Sequence, residues 1–414
     1  HLSLKRRIFK AAEYFENPDH PLLGPNIKGL YFIGYLENGS KLLNFTFNFI
    51  YCLCTLIVVS EYVELYQLRR DLSQALVNFS ITSLSTVTLS KIILFLPMRS
   101  KWMHLLNLIS KEEISAIEKN DSCTVKIMNG YKKYSRVITY LFWAVAFCTN
   151  IVAITSPALK YLSMAQYREK IANGTEPLPQ ILSSWVPFNK NKMPGYLGSL
   201  AIHVFVLTVG SCAVAVYDTN AVTLMTFLKG QAKILKYKCR RVFGEKDLIS
   251  DEEVLSRIKK NIFEEKIYFY HIKIYIIVYE QVNSLLSPAM FIYVLVCSIS
   301  ICCSVVQLSL DVTPVQKLWV VEYTLVQAFQ LFLYCWHSNE VALETDAISS
   351  GCFESKWWRS NLKQRKLLVL LIGKTNQRYI LTAGPFTTLS VPTFIDIIKG
   401  SYSFYTLVMQ MGDN

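Results

Sequence analysis

The chain is short of the residues that carry out chemistry. Its six histidines, His1, His20, His104, His203, His271 and His337, stand alone, with no two at the spacing of a metal site. Cys302 and Cys303 are adjacent rather than a Cys-x-x-Cys pair, and no Gly-rich dinucleotide loop occurs. Gly373, Lys374 and Thr375 spell the end of a phosphate-binding loop, but Leu368 stands where its earlier glycine belongs. These absences argue against an enzyme, and no catalytic residue, cofactor or metal is assigned. Internal repeats of the transporter kind are lacking too. Lys5, Arg6, Arg7 and Lys10 precede no short apolar core with a small-residue cleavage site, so no secretory leader is expected. Charge is scarce, at 18% of residues.

What is present is apolar, and it arrives in blocks. Hydrophobic residues make up 52% of the chain. They cluster at Leu42 to Val63, Leu72 to Leu96, Val137 to Leu159, Tyr196 to Leu228, Tyr275 to Leu308, Leu318 to Leu343 and Leu389 to Met411. Each block is near or above the roughly 20 residues that cross a hydrocarbon core as a helix. Seven crossings put the two ends on opposite sides. With the N-terminus inside, the internal segments (1 to 41, 97 to 133, 229 to 271 and 346 to 388) hold 31 of the 43 Lys and Arg, the bias expected of cytoplasmic loops. The net charge of +13 is therefore explained without nucleic acid, and the basic tract Lys229 to Arg241 reads as a solvated continuation of the fourth helix.

Eight of the 11 cysteines fall in these spans and the others on the internal side, which argues against a disulfide framework. Of four Asn-x-Ser/Thr sequons, only Asn173 lies well inside an external loop, so it is the candidate glycan acceptor. That loop, Lys160 to Gly195, carries four prolines with Trp185 and Phe188 and reads as an ordered lid rather than a helix. Internally, 97 to 133 and 246 to 270 look like extensions of membrane helices. Ser360 to Tyr379 reads as an amphipathic cytoplasmic helix. Lys91 and Lys273 are expected to snorkel from cytoplasmic helix ends, while Asp218 and Glu280 lie deeper and read as satisfied structural groups.

The last block differs from the rest. Thr393, Asp396, Gly400, Ser403, Leu407 and Gln410 recur at steps of three and four, so small and polar groups share one side of the helix, with Phe394, Ile398, Tyr405 and Met409 on the other. At membrane depth a polar stripe must face protein or water, which makes this a candidate pore-lining helix.

Three motifs give the chain a resemblance. Gln330-Leu-Phe-Leu-Tyr-Cys-Trp-His-Ser-Asn-Glu340-Val ends the sixth block, Ser184-Trp-Val-Pro-Phe188 lies in the external loop, and Ser401-Tyr-Ser-Phe-Tyr-Thr-Leu-Val408 lies near the end. With Glu354-Ser-Lys-Trp-Trp358 and Leu389-Ser-Val-Pro-Thr-Phe394, they resemble the insect odorant receptors, in order and over the whole chain. The resemblance implies an all-α, seven-transmembrane membrane protein with a cytoplasmic N-terminus, a subunit of a tetrameric ligand-gated cation channel in the plasma membrane of an olfactory sensory neuron. Residues 1–345 would hold the N-terminal segment and six helices with the odorant pocket, 346–388 the cytoplasmic anchor, and 389–414 the pore-lining helix.

Matching the family's final helix puts Leu407 and Met411 at the gate, with Gln410 close by, and Ser403 and Asp396 further along the pore wall. Met411 departs from the family's usual branched aliphatic residue. For a small volatile odorant, the pocket in the outer halves of the helices needs an apolar, aromatic wall with few polar anchors. Phe79, Phe147, Ile151, His203, Leu207, Trp319 and Tyr323 are the candidates. The short internal loop after the fourth helix and the C-terminal run point to an odour-tuned subunit working with the Orco co-receptor in a heterotetramer. A gustatory-type homotetramer is the alternative. A G-protein-coupled receptor would need its N-terminus outside.

Overall fold

The computed structural model describes residues 15–119, 121–163, 165–173, 177–241, 251–309, 314–355, 357–359, 362–376 and 378–412. A short helix, α1 (Gly24–Phe32), precedes α2 (Lys41–Leu68) and α3 (Leu72–Phe95). α4 (Arg99–Glu118), α5 (Ser122–Ser163), α6 (Ala165–Ala172), α7 (Gly195–Arg240), α8 (Asp251–Ser309) and α9 (Pro314–Glu354) follow. Then come α10 (Leu362–Thr375), a hairpin of β1 (Thr382–Ala383) and β2 (Thr387–Thr388), and α11 (Val391–Gly412). By length and composition α2, α3 running on into α4, α5, α7 and α8 can each cross a membrane. α9 and α11 pack beside α8 and complete a bundle of seven long helices.

Local chemistry sets the helix ends. Ser40 and Asp71 cap α2 and α3, their side chains accepting from the backbone N–H groups of Leu43 and Gln74. Pro97 lacks an N–H to continue α3, so the chain makes one 3-10 turn at Leu96–Met98 and restarts as α4. α7 has 46 residues, about 69 Å at 1.5 Å per residue, so it passes well beyond a hydrocarbon core of about 30 Å. The basic tract after Leu228 continues this helix, as expected, but it is packed rather than solvated, with Ile234, Leu235 and Cys239 buried and Lys229, Lys233 and Arg240 paired with Glu340, Glu344 and Glu354 of α9. The external loop departs from expectation in its first part, where α5 continues to Ser163 and α6 follows; beyond Pro177 it is irregular.

The core is concentrated toward the end of the bundle that holds α1 and α4, called inner here. Every residue of α7 from Ala215 to Leu228 is buried, as befits a helix surrounded by α3, α5, α8 and α9. Tyr35, Phe95 and Trp102 stack at centroid separations of 4.5 and 4.8 Å, and Tyr217 meets both Phe95 and Trp102 edge-on. Toward the outer end, α7 buries only Ser199, His203 and Val206 before Ala213. The outer half is thus packed more openly than the inner one. A belt of exposed apolar side chains on α2, α5 and α9, among them Phe45, Leu56, Leu141, Leu325 and Phe329, suits a lipid surround.

The hairpin was not legible in the sequence. It straps the link before α11 onto α8: Asn283 Oδ1 accepts from Thr382 N at 2.8 Å, Ser287 Oγ accepts from Gly384 N at 2.9 Å, and Tyr279 donates to Ile380 O at 2.7 Å. Gly384 turns the strap at φ +68°, and a Cβ there would stand 2.7 Å from the Phe291 ring. Only glycine suits both conditions.

Candidate ligand site and pore helix

The outer half of the bundle contains a hydroxyl cluster centred on Tyr323. Its hydroxyl lies 2.9 Å from Ser83 Oγ, 2.8 Å from Ser300 Oγ and 2.7 Å from the carbonyl of Ser80, and it accepts from Gln327 Nε2 at 2.6 Å. Three elements meet here, α3, α8 and α9, because serines and a tyrosine on their inner faces can satisfy one another without water. Gln327 Oε1 is buried with no partner among the described residues.

The external loop closes over this region through polar links. Ser184 Oγ is 2.8 Å from His203 Nε2, Asn78 Nδ2 donates to Ser183 O at 3.4 Å, and Trp185 N donates to Ser60 O at 3.2 Å. Lys190 joins Glu64 at 2.8 Å and also donates to Ser184 O. Residues 183–190 therefore touch α2, α3 and α7 at once. This part of the loop is the ordered lid that its prolines suggest, with Trp185 and Phe188 on its exposed side.

Of the pocket candidates, His203 is buried and Tyr323, Phe79 and Leu207 are half-buried, and Tyr323 joins the hydroxyl cluster. Phe147 and Ile151 do not reach the interior, with 67% and 46% of their surface exposed. The inward row of α5 runs Thr139, Trp143, Ala146 and Asn150, and each of the two follows that row by one residue, about 100° round the helix. The side chains of Trp319 and Met411 lie outside the described residues. Asn173 is exposed at the end of α6, while the other two residues of its sequon lie outside the described residues.

Deeper in the bundle, Lys91 of α3 pairs with Asp218 of α7 at 2.5 Å, with the two side chains 0% and 2% exposed. The expectation that Lys91 snorkels is corrected: the buried carboxylate 127 residues away offers a better partner than distant solvent. Tyr334 donates to Asp218 at 2.5 Å, Gln330 also donates to it, and the rings of Tyr217, Tyr293 and Tyr334 lie 5.1 to 5.8 Å from the ammonium. Asp218 is thus the satisfied structural group expected. Glu280 is exposed instead, as is Lys273. Glu61, a further intramembrane acid, is fully buried on α2 and accepts from Ser85 at 3.2 Å.

α11 packs on α8 and α9 through one face. Phe394 meets Phe332 edge-on at 5.5 Å, and Ser401 lies 3.5 Å from Cys302 Sγ. Ser390, Phe394, Ser401 and Tyr405 form this side. Asp396, Gly400, Ser403, Leu407 and Gln410 are all exposed, and at about 100° per residue they centre about 150° round the helix from it. Thr393 departs from the stripe, half-buried against Ser390 and Thr388. The stripe therefore lies within the side of α11 that this chain leaves uncovered, a side that also presents Ile395, Tyr402 and Phe404 and, contrary to the sequence expectation, Ile398.

On the inner side, beyond the Pro97 turn, α4 carries a buried acid. Glu113 accepts from Leu22 N at 3.1 Å and from Tyr131 at 2.9 Å, and burial raises its carboxyl to about 7.

Comparison with known proteins agrees with this architecture. Over 95% of its length the chain follows the solved insect olfactory receptor OR5 from Machilis hrabei in complex with eugenol, covering 100% of that chain with a TM-score of 0.75 at 13% identity. It is 22% identical to odorant receptor 56a of Drosophila melanogaster over 326 residues, 75% of each chain. It is 20% identical to odorant receptor Or2 of Anopheles gambiae, across 94% of this chain and 98% of that one. The family model described as 7tm Odorant receptor matches residues 71–402. A seven-helix bundle, a lidded outer half and a match over most of the chain lead to one assignment: this protein belongs to the seven-transmembrane odorant receptor family.

Proposed function

We propose that the chain is an odour-tuned subunit of a tetrameric, non-selective cation channel, acting with Orco co-receptor subunits in the plasma membrane of an olfactory sensory neuron. The observation that carries the channel reading is α11. Its polar stripe faces away from the rest of its own chain, a costly arrangement in lipid but a natural one where several such helices enclose water. Leu407 and Met411 form the constriction with Gln410 beside them, Ser403 continues the wall, and Asp396 near the inner end favours cations.

The ligand is a small volatile molecule, as eugenol is for the solved relative. It sits beneath the lid among Phe79, His203, Leu207 and Tyr323, in the outer half of the bundle. Binding that favours one arrangement of α3, α7 and α9 biases α11, which packs against α9, toward the open pore.

Coexpression with the co-receptor and recording of currents across an odour panel tests the proposal. Odour-evoked cation currents that need both subunits support it. Slow stoichiometric uptake without channel openings, or a response that survives removal of the co-receptor, overturns it.

A further inference from the structure

Among the described residues His203 is the one histidine of the outer bundle, and its hydrogen bonding is incomplete. Its side chain is buried, Nε2 faces Ser184 Oγ at 2.8 Å, and Nδ1 is buried with no partner among the described residues. His337 shows the satisfied alternative, with Nδ1 on the carbonyl of Leu333 at 2.7 Å and Nε2 on the Tyr134 hydroxyl at 3.1 Å. The Ser184 hydroxyl is also buried, and His203 is its partner.

Two tautomers fit this geometry. If Nε2–H donates to Ser184 Oγ, the serine proton and the Nδ1 lone pair are left without partners. If Ser184 donates to Nε2, the Nδ1–H and the serine lone pairs are. Either way Nδ1 is the buried orphan atom, at a cost of about 1–3 kcal/mol, and only the second tautomer presents a donor there.

Resting on the odorant-receptor reading above, we infer that Ser184 donates to Nε2 and that this chain selects volatile ligands carrying an oxygen acceptor, such as ketones, aldehydes and esters, which take the Nδ1–H of His203. Hydrocarbons of the same shape leave that donor unpaired. Ser184 is the positioning residue: by donating from the lid it holds the ring in the tautomer that reads the ligand.

The test uses the full chain coexpressed with the co-receptor, and a panel of small ketones, aldehydes and esters beside hydrocarbon isosteres in which C=CH2 replaces C=O. The carbonyl compounds should be roughly tenfold more potent than their isosteres. His203→Gln can place its amide oxygen at the Nε2 position to accept from Ser184 but offers no donor at Nδ1, and should erase the preference while the isosteres still open the channel. His203→Asn places an amide N–H at the Nδ1 position and should retain it. Equal potency of each pair in the unaltered chain, or a preference that survives His203→Gln, overturns the inference and leaves the receptor reading standing. Silence of the surface-expressed complex to the whole panel overturns both.

Discussion

Lys91 Nζ and Asp218 Oδ1 meet at 2.5 Å between α3 and α7, in a ring of three tyrosines and out of reach of solvent. Breaking a buried pair by removing one partner costs about 3–5 kcal/mol, whereas replacing both with apolar groups is often near neutral. Lys91→Met and Asp218→Leu should each sharply lower the amount of folded protein at the cell surface. The double variant should recover part of that loss, although Tyr334 and Gln330 also lose an acceptor. Surface labelling reads all three. Losses that simply add would mean that the pair is not an energetic unit.

Leu407 lies on the uncovered stripe of α11 with 53% of its surface exposed within the single chain. Replacing it with serine removes an apolar contact worth about 1.5 kcal/mol from a closed constriction, enough to shift the closed-to-open ratio roughly tenfold. Leu407→Ser should therefore raise ligand-independent current when the co-receptor is present. Unchanged leak together with an unchanged odour response would remove Leu407 from the gate.

Gly384 holds the strap before α11 at φ +68°, with the Phe291 ring where a Cβ would go. Gly384→Ala should destabilise the strap by about 1–3 kcal/mol through backbone strain and the clash together. Adding Phe291→Ala relieves the clash but not the φ, so thermal stability in detergent should return only in part. Full recovery would assign the whole effect to the ring.

Glu113 has its carboxyl raised to about 7 by burial, above the ordinary value of 4.5. A folded-state value above the unfolded one means that the folded protein holds the proton more tightly. This carboxyl therefore contributes most below pH 4.5, and its contribution falls as pH rises toward 7. The whole change is on the order of 3 kcal/mol. Glu113→Gln keeps one oxygen to accept from Leu22 N–H and turns an amide N–H toward the Tyr131 hydroxyl, without the charge. It should flatten this part of the pH dependence of thermal stability and leave the variant the more stable near neutrality. Parallel curves for the two proteins would show that Glu113 does not titrate in that window.

Much of α11 was legible because its evidence is periodic. A stripe recurring every three or four residues declares a face, and the structure leaves most of that face uncovered. The pocket was less legible. His203 and Tyr323 turn inward, but Phe147 and Ile151 miss the interior row of α5 by one residue each, a distinction that a helix apolar nearly all round does not reveal. Strands of two residues leave no alternation to detect, so the hairpin had no signal beyond Gly384-Pro385.

The amino-acid sequence by itself determined membrane residence, the number of long helices in the bundle and the bias of positive charge to one side. These depend on runs of neighbouring residues and on the cost of moving peptide and charge into hydrocarbon. Only the tertiary structure decided that Lys91 is paired rather than snorkelling, that the lid rests on His203 through Ser184, and that α11 turns its stripe away from its own chain. Each of these joins parts of the chain that lie apart in sequence, through contacts that take shape only when the helices pack.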